Sequence, residues 1–116
     1  MTQIRARDVF FDIIVKPDDT PVRGNASVSG DDALDRACED EILARLDRGD
    51  VWAWGAVSVI ARWRGFAGYA HLGACSYADE EDFKRGGYYE DMRKEAQEDL
   101  EREVASVEAR IRGDAS

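Results

Sequence analysis

DVWAWGAVSVIARWR, residues 50–64, is the stretch around which the fold is organised. Its tryptophans, valines and isoleucine are residue types that favour strands, so it predicts one long central strand. Successive side chains of a strand point to opposite faces. One face is small and aliphatic and suits packing under helices, namely Val51, Ala53, Val57, Val59 and Ala61. The other is bulky at one end and cationic at the other, namely Trp52, Trp54, Ile60, Arg62 and Arg64.

Two flanking segments alternate in the same manner. Residues 3–15 and 66–77 place apolar and polar side chains in turn, which predicts two further strands. Arg64-Gly65-Phe66 is a short connection, so the strands on either side are expected to pair as an antiparallel hairpin. Tyr69 and Tyr77 then join Trp52 and Trp54 on the face of the sheet that the helices leave open.

Two segments have helical periodicity. Residues 31–48 carry the apolar stripe Leu34, Cys38, Ile42 and Leu46, and Gly49 follows as a stop signal. Residues 88–112 carry the stripe Met92, Ala96, Leu100, Val104, Val107 and Ile111. The last two turns of this second helix are expected to project, or to pack against a second copy.

The elements together predict a single α+β domain, residues 1–116, in the order β-α-β-β-α. Its small sheet is antiparallel-rich, with both helices on the small-residue face. Residues 16–30 hold two prolines and two glycines and are expected to form an exposed loop or an irregular hairpin. Residues 113–116 are expected to form a disordered tail.

The charge balance restricts the class of partner. The 16 Lys and Arg against 25 Asp and Glu give a net charge of −9. This disfavours direct contact with nucleic acid or an anionic membrane and favours a basic partner, although many proteins are this acidic for solubility alone. The chain has neither a signal-peptide pattern nor an apolar run of the roughly 18 residues that a membrane helix needs. A cytoplasmic location with Cys38 and Cys75 reduced is expected.

No residue constellation of an enzyme can be assembled from the sequence. Its single histidine, His71, lies about 13 Å from Cys75 along an extended strand, too far for a catalytic dyad. The acids of residues 79–82 lack the alternating spacing that wraps a calcium ion. We therefore expect no enzyme activity, no cofactor and no metal, and keep a small enzyme of unknown class only as a third alternative.

Two surfaces are candidates for binding a partner. One is an aromatic patch of Trp and Tyr, the types that dominate interface hot spots. The other is the acidic run from Asp79 to Glu108, which holds twelve acids against five lysines and arginines up to Arg102. The candidate residues are Trp52, Trp54, Tyr69, Tyr77, Asp79, Glu80, Glu81, Asp82, Tyr88 and Tyr89. The alternatives are that a helix end or the 16–30 loop covers the rings as a second small core, and that the acids are helix caps and solubilising charge.

Three motifs carry a resemblance: GDVWAW (49–54), ACSYADEEDF (74–83) and GGYYEDM (86–92). The series resembles small uncharacterised proteins of tailed bacteriophages and prophages over roughly residues 31–105. That group carries no assigned activity, so the resemblance implies no catalytic residue. By size, charge and source, the chain is similar as a class to anti-CRISPR and other anti-defence proteins, which commonly occupy a basic nucleic-acid-binding surface of a host complex.

Two hypotheses of function follow. The first is a phage anti-defence inhibitor in the bacterial cytoplasm that binds a host protein or ribonucleoprotein and mimics nucleic acid with its acids, without binding nucleic acid or membrane itself. The second is an oligomeric structural or accessory phage protein, with a homodimer built on the aromatic face or the projecting helix. Solution mass discriminates between them, because a monomer leaves the aromatic face free for a foreign partner.

Overall fold

The computed structural model describes residues 3–113 and confirms the α+β class. Three strands form one antiparallel sheet in the order β1-β2-β3, with bounds Phe10–Pro17, Gly55–Trp63 and Phe66–Cys75. Three α-helices accompany them, namely α1 (Asp32–Asp47), the short α2 (Glu80–Arg85) and α3 (Gly87–Arg112). The chain order is therefore the predicted one, with α2 added before the last helix.

The contacts divide the described chain into two compact units. Unit 1 contains residues 3–14, 58–71 and 87–113, and thus all of α3. Unit 2 contains residues 15–57 and 72–86, and thus α1 and α2.

In unit 1, α3 packs on the small-residue face of the strands. Val59 and Ala61 of β2 and Ala70 of β3 are buried there, as the alternation of the sequence predicts. Gly68 brings the two layers into the closest contact. A Cβ at this position would lie 2.2 Å from both the Ala96 carbonyl oxygen and the Leu100 amide nitrogen.

The stripe of α3 is confirmed over its first four positions, since Met92, Ala96, Leu100 and Val104 are buried. Val107 is half-buried and Ile111 is exposed, so the end of the helix leaves the core as expected. The hairpin is confirmed as well. Arg64 and Gly65 have φ angles of 47° and 83°, which the tight two-residue turn between right-twisted strands requires.

In unit 2, the start of the central strand differs from the prediction. The strand begins at Gly55, and residues 51–53 before it form a 3-10 turn. The Asp50 carboxylate caps this turn by accepting a hydrogen bond from the Trp52 amide. The turn breaks the alternation, so Trp54 enters a core with Ile42 of α1 and Val22. Leu34, predicted on the stripe of α1, is exposed.

The loop that follows β1 is attached to α1, and the prediction that it is simply exposed is wrong at Val22, which is buried. Glu39 accepts a hydrogen bond from the Gly24 amide at 2.8 Å and pairs with Arg23 at 3.0 Å. Asp35 accepts hydrogen bonds from the Ser27 hydroxyl and from the Ser29 amide and hydroxyl. Acids on α1 therefore hold the loop in place.

Two remaining features complete the fold. No helix within residues 3–113 is long and apolar enough to cross a membrane. The predicted disordered tail begins at Gly113, which is described as a turn, and its other residues lie outside the described part of the chain.

Candidate partner-binding surfaces

Part of the predicted aromatic patch is a ring cluster in unit 2. Trp52 lies 5.7 Å from Phe83 and 6.4 Å from Tyr77 between ring centroids, and Tyr77 lies 5.2 Å from Phe83. Phe83 is fully buried, whereas Trp52 and Tyr77 are half-buried. The Tyr77 amide also donates to the Trp52 carbonyl. The cluster therefore anchors α2, and sequence reasoning missed Phe83 at its centre because a short helical turn gives too little periodicity.

Trp54 does not belong to an exposed face, and its prediction as a surface residue is wrong. It is only 5% exposed, and its indole N–H donates to the Thr20 carbonyl at 2.7 Å. Val22, also from the loop, packs against it. The alternative of a second small core covered by the 16–30 loop is therefore what the structure shows for this ring.

The acids of residues 79–82 act largely within their own turn. The Asp79 side chain caps α2 by accepting from the Asp82 amide at 2.8 Å, and the Asp82 side chain accepts from the Ala78 amide at 2.9 Å. Glu80 and Glu81 lie 3.6 and 3.7 Å from the Lys84 ammonium. Each of these contacts is local, as the capping alternative predicts.

Asp18 joins the end of β1 to β3 and was not a candidate from the sequence. Its carboxylate accepts from the Thr20 amide at 2.8 Å and from the Ala74 amide at 3.0 Å. Ala74 has a φ of 48°, a conformation that is uncommon for a residue with a side chain. The hydrogen bonds from Thr20, and then the one from Ala74, lower the pKa of Asp18. In the sequence, Asp18 is one aspartate after a proline, a pattern that predicts a turn but no contact with β3.

Tyr69 lies in unit 1, on the face of the sheet opposite α3. We define the open sheet face as the outward side chains of the three strands within unit 1, namely Phe10, Asp12, Ile14, Ser58, Ile60, Arg62, Ala67, Tyr69 and His71. Tyr69 stacks on His71 at 6.1 Å and 12°. The Ser58 hydroxyl and His71 Nδ1 are 2.8 Å apart, and Arg62 lies 3.6 Å from Asp12.

The start of α3 carries the last two candidates. Tyr88 is 60% exposed, as a binding residue should be. Tyr89 is half-buried, and the Arg93 guanidinium lies 5.5 Å from its ring and 4.6 Å from the ring of Phe11. Tyr89 therefore belongs to the packing between α3 and β1 as much as to the surface.

The two cysteines are free. The Cys75 thiol donates to the Gly55 carbonyl at 3.2 Å, and burial raises its pKa. Cys38 is half-buried against the Trp54 core, consistent with its predicted place on the stripe of α1. Within residues 3–113, no group of three His, Cys, Asp or Glu side chains could hold a metal ion.

The chain was compared with protein-family models, with curated proteins and with solved structures. None of them matches it. The assignment of function therefore depends on the geometry of the two units.

The structure thus distributes the predicted site residues among three places. Trp52, Tyr77 and the acids of residues 79–82 lie together in unit 2, where most of their contacts are internal. Tyr69 lies on the open sheet face, and Tyr88 lies at the start of α3. These surfaces offer rings and charges for recognition.

Proposed function

We propose that this protein is a non-catalytic phage anti-defence protein that binds a basic surface of a host nucleoprotein complex in the bacterial cytoplasm. The binding surface is the acidic outward face of α3, with Tyr88 as its aromatic anchor. The proposal keeps the mode of binding inferred from the sequence, but moves its centre away from Trp54 and the capping acids.

The observation that carries the proposal is a row of carboxylates along α3. Asp91, Glu95 and Glu98 follow each other at four- and three-residue spacing, so they share one face of the helix. Together with Glu101 they are exposed, and none of the four forms an ion pair among the described residues. Lys94 and Arg102 lie on the same face of the helix, but the four carboxylates outnumber them, so the face stays anionic and attracts a cationic partner.

The spacing of the row suits the mimicry of nucleic acid. Three and four residues of helix separate the carboxylates by about 4.5 and 6 Å along the helix axis, whereas the phosphates of one DNA strand follow each other at about 3.4 Å along the duplex axis. A surface that binds a phosphate backbone through Lys and Arg therefore meets a comparable line of negative charge. The exposed ring of Tyr88 at the start of the helix adds apolar area at a small cost in rotamer entropy.

The test uses two variants that remove charge from different acidic segments. The first combines Asp91→Asn, Glu95→Gln, Glu98→Gln and Glu101→Gln. The matched control replaces Glu80 and Glu81 by Gln, whose carboxylates interact with Lys84 in the same turn. Immobilised wild type and variants are exposed to bacterial lysate, the captured complex is identified by mass spectrometry, and its association is measured after purification.

We expect the wild type to capture a nucleoprotein with a basic surface. Nucleic acid should compete, and raising salt from about 0.05 to 0.5 M should slow association because screening shortens the range of charge interactions. The α3 variant should lose at least tenfold in affinity, whereas the control should stay within twofold. Affinity that is unchanged in the α3 variant, in high salt and with competing nucleic acid would refute the proposal.

A further inference from the structure

The open sheet face carries three large apolar or aromatic side chains that are exposed. Phe10 is 66% exposed, Tyr69 46% and Ile14 37%, and they lie on the outer strands β1 and β3. Between them on β2, Ile60 is only 4% exposed and forms the floor of the face. A contiguous exposed apolar patch on a protein marks an interaction site more often than isolated apolar residues do.

The charge of this face differs from that of the whole chain. Its ionised side chains are Asp12 and Arg62, one of each sign, while the chain carries −9. Two copies of so acidic a protein repel each other over most of their surface, because like charges brought together are unfavourable. A neutral, apolar face is where that repulsion is smallest.

We propose that the open sheet face binds the same face of a second copy of this chain, forming a two-fold symmetric dimer. The interface is sheet against sheet, with the exposed Phe10, Ile14 and Tyr69 buried between the copies. Since α3 covers the opposite face of the strands in unit 1, the dimer leaves the acidic row on α3 accessible. The inference is independent of the proposed function.

The Asp12–Arg62 pair makes the face complementary to itself. Within one chain the two groups are 3.6 Å apart, and their side chains keep 44% and 48% of their exposure. Consider a two-fold axis in the plane of the interface that crosses the line from Asp12 to Arg62 at its midpoint and at a right angle. This axis places the Arg62 of each copy opposite the Asp12 of the other copy. Each dimer then gains two intermolecular charge pairs around the apolar centre.

The size of the face sets the expected strength. Three strands about 4.8 Å apart and about six residues long span roughly 14 by 20 Å. This is below the roughly 800 Å² per partner of a standard interface, so the dimer should be weak. We expect a Kd in the range of about 10 to 500 μM.

Charge reversal tests the proposal without depending on the stability of any one variant. Asp12→Arg gives a face with two cations, and Arg62→Asp gives a face with two anions. Each variant alone should be a monomer by sedimentation equilibrium at 500 μM, whereas the weight-average mass of wild type should be at least about 1.5 times the 13.0 kDa of one chain. An equimolar mixture of the two variants should regain the dimer, since every Asp then meets an Arg across the interface. Both variants lack the native pair within their own chain, so recovery on mixing cannot come from refolding.

A second pair of variants tests the apolar centre. Phe10→Ser should weaken dimerisation at least tenfold, while Val28→Ser, which removes an exposed apolar side chain from unit 2, should leave it unchanged. Wild type that remains a monomer at 500 μM overturns the proposal, and so does a mixture of the charge variants that stays monomeric. A monomeric wild type whose capture of another protein depends on Phe10 would assign the face to a foreign partner and equally overturn it.

Discussion

Gly68 is the position at which a single added methyl group should disturb the fold most. In Gly68→Ala, the new Cβ would stand 2.2 Å from the Ala96 carbonyl oxygen and the Leu100 amide nitrogen, and 2.7 Å from the Leu100 Cα. These are backbone atoms of α3, which no change of rotamer can move. The helix must therefore withdraw from β3 as a whole.

The size of the withdrawal sets the magnitude. Real Cβ contacts stay above 3.0 Å, so α3 has to move by about 0.8 Å or more. A gap of about 0.5–1 Å forfeits a quarter to a half of the dispersion energy at each affected contact. Overpacking of this kind typically destabilises the folded state by about 1–3 kcal/mol. Alanine also lowers the conformational entropy of the unfolded chain, which offsets about 0.4–1 kcal/mol of this loss. Because the obstructing atoms are backbone and the whole buried stripe of α3 is displaced, we expect a net loss near the upper end of this difference, about 2 kcal/mol in the free energy of unfolding.

Urea unfolding followed by far-UV circular dichroism measures this loss. Gly87→Ala is the matched control, because a Cβ there meets no atom within 4 Å at the start of the same helix. The control should keep or raise stability, as alanine favours helix over glycine by up to about 1 kcal/mol.

The reasoning also predicts that the clash cannot be relieved by a second substitution. Truncating the side chain in Gly68→Ala/Leu100→Ala leaves the obstructing backbone atoms in place and should lower stability further. A Gly68→Ala protein within about 0.5 kcal/mol of wild type, the range of an ordinary surface change, would show that α3 does not approach the strand this closely.

Two further predictions concern unit 2. Trp54→Ala should cost about 3–5 kcal/mol in unfolding free energy as a large core truncation, whereas Tyr88→Ala at an exposed ring should stay within about 0.5 kcal/mol; equal effects in thermal unfolding would argue against a buried Trp54. Asp18 has a lowered pKa, so the stability that it contributes is present above its unfolded pKa of about 3.9 and is lost as the pH falls through its lower folded value. The acid limb of stability should therefore be shallower in Asp18→Asn than in wild type, and the Ala74 amide should exchange faster in the variant at neutral pH; identical pH profiles would contradict this role.

Periodicity predicted most of the regular elements, although the strand expected over residues 3–15 begins only at Phe10, after a 3-10 turn at Ala6–Asp8. Alternation of apolar and polar residues predicted the small-residue face of the central strand and the hairpin. Apolar residues at three- and four-residue spacing predicted the four buried positions of α3. Their bounds agree with the structure to within a few residues over β3 and α3. The predictions hold where many residues repeat the same pattern.

The site depends on features that no repeat specifies. Trp54 is buried because a capped 3-10 turn at Asp50 breaks the alternation and because Thr20 and Val22 arrive from a distant loop. Phe10 lies between Asp8 and Asp12 in the sequence, and alternation alone does not tell which face of β1 stays uncovered. Long-range contacts, rather than local propensity, decide which aromatic rings remain on the surface.

The turn at Arg64 and Gly65 has a consequence for the order in which the chain is assembled. The two strands that it joins are adjacent in sequence, so their pairing closes only a few residues, whereas β1 must pair with β2 across residues 18–54 at a greater loop-closure cost. On the ribosome β1 is synthesised first, and its FFDIIV segment remains without a partner until β2 emerges. We therefore expect the nascent chain to be most exposed to aggregation during that interval, with Asp12 acting as the charge that interrupts the apolar segment.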